Sequence, residues 1–279
     1  MKIKSSLLVA LPVFFLGVLP SGAALTIASE SFTYAQNFDA LSSAATSTWT
    51  NDSTLAGWSM YKSDLTSTTV LNGGNGGSNT GGFWSYGATA SGERALGGLG
   101  SSNVAAFGDT DPGVPVTGPG TGVTAGYITL SLNNATGGEL SSITVGFSGE
   151  QWRNGGNVSL ASQTMTFQYG FGATFAAVTT WTAPGGAFNW ASPVTAATAA
   201  AVDGNSSGLV TGLGGTLSDL AWADGGTLWI RWLEVNDAGN DHGLAIDNFA
   251  VTSVTAVPEP DAAALLGAVG LLGLIRRRR

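Results

Sequence analysis

An oxygen-rich group of side chains near the end of the chain has the composition of a metal site. Asp237, Asn240, Asp241 and Asp247 lie between and within the last two predicted strands. Calcium selects hard oxygen ligands of this kind, although the spacing is not that of an EF-hand. Asp and Asn also form turns by bonding to their own backbone, and we favour that role. The metal hypothesis is a structural calcium ion at Asp237, Asp241 and Asp247.

His242 is the only histidine, and the chain contains no cysteine. Any Ser/His/Asp triad therefore depends on this one residue, and thiolate or multi-histidine metal sites are excluded. We expect His242 to be a polar turn residue beside Gly243 and the protein to be no enzyme.

Glu150 is followed two residues later by Trp152, so it could be one carboxylate of a glycosidase pair with an aromatic sugar platform beside it. A second carboxylate at a useful spacing is not visible in the sequence. On a strand, Glu150 and Trp152 share one face and Arg153 lies on the other. We favour structural ion pairs, because a buried charge requires a partner. The proposed pairs join Arg153 or Arg231 to Glu150 or Glu234.

Nine tryptophans are numerous for this length, and most should lie in the core. Aromatic residues near Gly-rich or Pro-rich loops can instead be exposed, where flat rings stack on sugars. The candidate glycan contacts are Trp84, Tyr86, Trp181 and Trp190. Core packing is the favoured alternative for each of them.

The elements that position these residues are predicted to be strands. The chain has 42 glycines and only 10% charged residues, which suits short strands and tight turns better than helix bundles. Apolar runs bounded by Gly, Asn, Asp or Ser predict six strands: Tyr127–Leu132, Ile143–Ser148, Met165–Tyr169, Leu209–Leu213, Leu228–Val235 and Leu244–Val254. Leu228–Val235 is apolar on both faces apart from two charged residues, which predicts a central strand.

We predict an all-β fold for residues 25–256, an antiparallel β-sandwich with a jelly-roll-like topology. Loops are expected at Asn72–Gly82 and Asp109–Gly122, which are rich in Gly or Pro. The Ala-rich segment Val194–Val202 fits one short helix or a loop equally well.

The body between the two ends of the chain is strongly acidic. Residues 25–257 contain four basic side chains and sixteen carboxylates. Such a surface repels phosphate backbones, so nucleic acid is not an expected partner.

Residues 1–24 have the pattern of a secretory signal peptide. Lys2 and Lys4 precede an apolar stretch from Leu7 to Leu19, and small residues follow it. We expect cleavage after Ala23 or Ala24. The alternative, an uncleaved anchor, requires roughly 20 apolar residues rather than this shorter stretch.

The other end of the chain, residues 257–279, combines a proline motif, an apolar segment and a basic stop. Pro258-Glu259-Pro260 precedes the uncharged run Ala262–Ile275, and the arginines close the chain. A helix of this run reaches about 21 Å, less than the roughly 30 Å hydrocarbon layer. We expect a marginal transmembrane helix with its arginines on the cytoplasmic side. The basic stop comprises Arg276, Arg277, Arg278 and Arg279.

This tail resembles the PEP-CTERM sorting signal of Gram-negative bacteria. The resemblance implies recognition and removal by a membrane transpeptidase-like exosortase, in hosts that typically make exopolysaccharide. It also implies export to the cell surface or matrix after transient anchoring in the inner membrane, as with other temporary C-terminal anchors. A plain single-span anchor is the alternative.

Two stretches of the body resemble a secreted bacterial surface module whose final strand carries an Ile-Asp-Asn-Phe-like sequence. They are Phe147–Arg153 and the segment from Arg231 to Phe249. The resemblance supports the sandwich and brings no catalytic residues. The expected function is therefore a non-enzymatic surface or matrix protein that associates with exopolysaccharide. The alternatives are a lectin-like carbohydrate-binding module and a secreted glycoside hydrolase.

Overall fold

The structure, a computed structural model, describes residues 24–62, 64–100, 123–237 and 239–257. Residues 1–23 of the predicted signal peptide, the predicted loop Asp109–Gly122 and the predicted sorting tail from Pro258 onwards lie outside these ranges. Among the described residues, no helix is long and apolar enough to cross a bilayer.

Strands make up nearly all the regular structure of the described chain, which confirms the prediction of an all-β fold with little helix. Two 3₁₀ turns, Phe175–Ala177 and Gly186–Phe188, accompany them. The strands are β1 (Leu25–Ile27), β2 (Tyr34–Gln36), β3 (Thr46–Thr48), β4 (Trp58–Lys62), β5 (Val70–Gly74), β6 (Gly82–Tyr86), β7 (Ala95–Leu99), β8 (Val123–Asn134), β9 (Leu140–Asn154), β10 (Thr164–Phe171), β11 (Trp190–Ala191), β12 (Ala200–Ala201), β13 (Leu209–Leu217), β14 (Thr227–Asn236) and β15 (Gly243–Ala256).

The first sheet has six strands in the order β1-β8-β14-β10-β11, and β4 also pairs with β8. Strand β14 lies between β8 and β10, so the prediction of a central strand at Leu228–Val235 is confirmed. Its apolar residues on both faces match this position, because a central strand of a covered sheet is buried on both sides.

The second sheet has nine strands in the order β12-β9-β15-β7-β6-β5-β3, with β13 on β9 and β2 on β15. Each of the six predicted strands lies within an observed one. Within Val194–Val202, which fits a helix or a loop by sequence, the structure contains the short strand β12 and no helix.

The prediction of purely antiparallel sheets is wrong, because β1 pairs in parallel with β8 and β5 in parallel with β6. The Gly-rich segment Asn72–Gly82, predicted as a loop, begins inside β5 and ends at the start of β6. The middle of this segment carries the chain back along the sheet, so that β5 and β6 run in the same direction. Gly76, with φ of +82°, adopts there a backbone conformation that L side chains rarely take.

The main hydrophobic core lies between the two sheets and is rich in aromatic rings. Trp58 and Trp232 of the first sheet stack at 5.7 Å between ring centroids. Phe147 and Phe249 of the second sheet meet Trp232 edge-on at 5.4 and 5.7 Å. Edge-to-face rings at these separations are favourable beyond their buried area, so this cluster fixes one sheet on the other.

A second, smaller cluster covers the opposite face of the nine-stranded sheet. Leu244 and Ile246 of β15 belong to the main core, whereas Ala245 between them packs with Trp84, Tyr86 and Trp152. Alternate residues of a strand point to opposite faces, so these aromatic residues lie on the outer face. Gly204 lies against the Trp152 indole, where a Cβ would come within 2.4 Å of the ring. The loop that contains Gly204 therefore covers this face.

Candidate functional site

Three carboxylates meet on the covered outer face of the nine-stranded sheet. Glu93, Glu150 and Asp247 each bring one oxygen to within 4.8 Å of the other two. In the part of the chain that the structure describes, no other group of three Asp, Glu, His or Cys side chains meets this criterion. We call this group the acidic triplet.

Strand order explains why residues so distant in sequence converge. Strand β15 lies between β9 and β7. Glu150 of β9 is in register with Ala245, and Asp247 lies two residues further along β15. Such diagonal neighbours share one face of a sheet. Glu93 lies just before β7 and approaches from the other side of β15.

Each acid of the triplet has one oxygen that accepts a hydrogen bond and one oxygen that has no partner. The donors are the Trp152 indole to Glu150 Oε2 at 2.8 Å, the Asn248 amide to Asp247 Oδ2 at 2.6 Å, and the Asn205 amide to Glu93 Oε2. The remaining oxygens, Glu150 Oε1, Asp247 Oδ1 and Glu93 Oε1, are buried without a hydrogen-bond partner. Such orphaned atoms are uncommon in folded proteins and call for an explanation.

Burial controls the protonation of the triplet. Glu150 is 1% exposed and Asp247 is 3% exposed. Desolvation raises the pKa of Glu150 to about 8 and that of Asp247 to about 7, and it also raises the pKa of Glu93. Nearby negative charges, including Glu93 beside the other two acids, contribute to these raised pKa values after desolvation. Three carboxylates in this position must either bind protons or share a cation.

The predicted calcium ligands do not form one site. Asp247 belongs to the acidic triplet, whereas Asp237 and Asp241 lie beside Glu234, and Asp241 Oδ1 accepts a hydrogen bond of 2.7 Å from the Asp237 backbone N–H. The grouping of Asp237, Asp241 and Asp247 is therefore wrong. Proximity in sequence does not show which strands are neighbours, and the true companions of Asp247 come from β9 and the β6–β7 connection.

His242 lies directly before β15, as predicted, but it is buried rather than on a surface turn. Its Nδ1 lies 2.8 Å from Ser192 Oγ and 3.2 Å from Gln151 Nε2. Ser192 Oγ also accepts a hydrogen bond from the Gln163 backbone N–H. Burial lowers the pKa of His242, which keeps the ring neutral. This serine–histidine contact, which the sequence did not reveal, is an enclosed structural network.

The predicted ion pairs of Glu150 and Glu234 are not formed. Glu150 bonds to Trp152, and Glu234 accepts a hydrogen bond from the Gly100 backbone. The Arg153 guanidinium donates instead to the carbonyls of Gly76 and Gly77, and Arg231 donates to Gln168 Oε1. The sharing of one face by Glu150 and Trp152, which strand geometry predicts, is confirmed.

The predicted glycan contacts are mostly covered. Trp84, Tyr86 and Trp190 are at most 6% exposed, so exposure of these three rings is ruled out. Trp84 and Tyr86 stack nearly parallel at 5.6 Å in the outer-face cluster. Trp181 is half-buried, and the Arg231 guanidinium lies 3.9 Å from its ring centroid. The Trp84 indole donates a hydrogen bond to the Thr80 carbonyl of the adjoining Gly-rich segment, and Trp190 belongs to the main core.

A cleft of about 270 Å³ lies elsewhere, at the end of β10. Its wall includes Tyr169, Phe171 and Asp219. Neither the four predicted glycan contacts nor the members of the acidic triplet line this cleft, so the cleft and the triplet are separate features.

Comparison with known proteins does not identify the chain. No protein-family model matches it, and no curated protein matches its sequence. The interpretation of function therefore depends on the residues themselves.

Proposed function

We propose that this protein is an exported, non-enzymatic component of the cell surface or extracellular matrix, sorted through a PEP-CTERM-like tail. One observation carries the proposal. The sequence Pro258-Glu259-Pro260 is followed by a 14-residue uncharged run and four terminal arginines. The two prolines predict an extended motif, because each removes a backbone donor and disfavours helix before its ring.

The proposed route has three steps. The signal peptide directs export, and the short apolar run then holds the protein in the inner membrane. The terminal arginines stay on the cytoplasmic side and keep the body outside. An exosortase-type membrane enzyme then cuts near the motif, and the body is released to the surface or matrix.

The body is proposed to be a jelly-roll-like module that associates with exopolysaccharide. The long strands β8, β9 and β10 alternate between the two sheets, and so do β13, β14 and β15. Alternation of this kind is a feature of jelly rolls. The acids with strongly raised pKa lie beneath the surface, where a polymeric substrate cannot reach them, which supports a non-enzymatic role. A lectin-like module remains the alternative, but three of its four predicted contact residues are buried.

Mass spectrometry of the mature protein from its native host tests the sorting step. We expect an N-terminus after Ala23 or Ala24 and a C-terminus that lacks Arg279. A variant with Pro258, Glu259 and Pro260 replaced by alanine should keep Arg279 and accumulate in the membrane fraction, because the processing enzyme loses its recognition sequence.

The matched control is Thr252→Ala, an exposed residue of β15 a few positions before the motif. This variant should be processed like the natural protein. Recovery of the natural protein with Arg279 still attached, and of no shorter form in any fraction, would contradict the proposal.

A further inference from the structure

We propose that Glu93, Glu150 and Asp247 bind one calcium ion, which clamps β9, β15 and the β6–β7 connection together on the outer face of the nine-stranded sheet. The inference is independent of the sorting proposal, because it concerns only the described body. The proposed site replaces the ligand set predicted from sequence and keeps only Asp247 from it.

The first argument is the unsatisfied oxygens. Glu150 Oε1 and Asp247 Oδ1 belong to side chains more than nine-tenths buried, and neither atom has a hydrogen-bond partner. Both approach the Glu93 carboxylate, whose Oε1 is also unpartnered. An ion among these three oxygens satisfies all of them at once and offsets the cost of burying their charges.

The second argument is the way in which the outer oxygens are held. The Trp152 indole and the Asn248 amide each fix one oxygen of their acid, and the Asn205 amide fixes one of Glu93. Second-layer hydrogen bonds of this kind orient metal ligands and leave the other oxygen directed at the metal. The Asn248 amide comes from a bulge in β15, where the register with β9 shifts, and the Asn205 amide comes from the loop before β13. The ion therefore ties these two segments to the sheet.

The chemistry of the ligands selects the metal. The triplet contains only carboxylate oxygens, and hard oxygen ligands favour calcium or magnesium over zinc and copper. Calcium accepts irregular sets of six to eight oxygens, with carbonyls or water completing the shell. Magnesium requires near-octahedral geometry and dehydrates reluctantly, which suits a covered site poorly.

Calcium titration of the full chain, purified in mild detergent and stripped with chelator, tests the site. Calcium chloride at 100 times its Kd should raise Tm by about 5–10 °C relative to sodium chloride of equal ionic strength. Magnesium chloride should raise Tm much less. Calorimetry should give one calcium ion per chain. Terbium, a luminescent substitute for calcium, should show tryptophan-sensitised emission because Trp152 bonds directly to Glu150.

Variants locate the ion. Asp247→Asn and Glu150→Gln should each abolish the calcium-dependent rise in Tm and the terbium emission. Glu93→Gln affects a half-buried side chain and provides a test if a buried variant does not fold. It should weaken calcium binding at least tenfold. The matched control is Asp241→Asn, because Asp241 is also buried with a pKa raised to about 7 but lies outside the triplet.

Two results would overturn the inference. One is a Tm that calcium leaves unchanged, with no heat of binding. The other is loss of calcium binding in Asp241→Asn together with its retention in Asp247→Asn, which would place the ion at the cluster around Glu234.

Discussion

Glu234 is a buried carboxyl group in an unfavourable environment. It is 5% exposed, and its Oε2 has no hydrogen-bond partner. Desolvation raises its pKa well above 4.5, and the neighbouring acids Asp241 and Asp237 raise it further. Burial raises the pKa of Tyr86, and the charge of the neighbouring Glu234 also raises it. A proton on Glu234 is therefore favoured by folding.

This environment predicts a fall in stability as pH rises. Between the unfolded pKa of 4.5 and the raised folded pKa, the folded chain holds a proton that the unfolded chain has lost. The free energy of unfolding therefore decreases with pH across that window and stays lower above it. Glu234→Gln removes this term and should stabilise the protein by at least about 1 kcal/mol at pH 8, with little effect near pH 4.5.

Urea denaturation of the natural protein and the variant at pH 4.5, 6 and 8 measures the difference. Glu139→Gln, at an exposed residue, is the control and should change stability equally little at each pH. A difference between Glu234→Gln and the natural protein that is independent of pH would show that Glu234 keeps the same charge in both states.

The sequence predicts the chemistry of individual residues better than it predicts which other residues they contact. The residue type and oxygen-rich neighbourhood of Asp247 indicate a potential calcium ligand. Its association with Glu93 and Glu150 was not predictable, since it depends on β15 lying between β9 and β7. Periodicity along one strand shows which residues share a face. It does not show which other strands lie beside it.

At the scale of elements, a bulge in β15 explains the Ile-Asp-Asn-Phe sequence. Ile246 and Phe249 both belong to the main core although they are three residues apart. In a regular strand they would point to opposite faces. The register with β9 shifts between Asp247 and Ala250, and Asn248 adopts a left-handed conformation with φ of 51°. The extra residue restores the inward direction of Phe249 and exposes Asn248.

The left-handed conformation predicts an inverted order of stability at this position. Asn248→Gly should be more stable than Asn248→Ala by about 1 kcal/mol, because alanine is strained at positive φ whereas glycine is not. In an ordinary strand position alanine is the more stable of the two. Both variants lose the amide that donates to Asp247, so their difference reports the backbone alone.

Chemical denaturation with calcium held at one concentration checks this order. The comparison pair is Thr252→Ala and Thr252→Gly, at an exposed residue of the same strand with ordinary backbone geometry. There alanine should be the more stable. If alanine also proved more stable than glycine at residue 248, the bulge would be absent in solution.

Strands with clear apolar patterns were predictable, and Gly-rich ones were not. The six predicted strands all exist because their alternation or apolar density is strong. Strands β5 and β7 have the sequences VLNGG and ALGGL, whose glycines interrupt any alternation. The parallel pairings of β1 and β5 also carry no local signal, because they depend on where the chain returns to the sheet.

At the scale of the whole molecule, the two sheets share one aromatic core. Phe147 of the second sheet contacts Trp232 at 5.4 Å and Phe167 at 6.2 Å, and both partners belong to the first sheet. Every long strand contributes to this continuous cluster. The apolar inner face of each sheet is shielded from water only by the other sheet. The described body should therefore unfold as a single cooperative unit.

Phe147→Ala tests that cooperativity. Loss of the ring should lower the free energy of unfolding by about 3–5 kcal/mol, because the cavity opens where the sheets meet. Far-UV circular dichroism, which follows both sheets, and tryptophan fluorescence, which follows the core, should shift to the same new midpoint. Phe171→Ala, at a ring that is 38% exposed, is the control and should cost much less. A core whose rings are shared by both sheets should unfold in one transition. Two separate midpoints in the Phe147 variant would therefore contradict the prediction, because they would show that one sheet persists without the other.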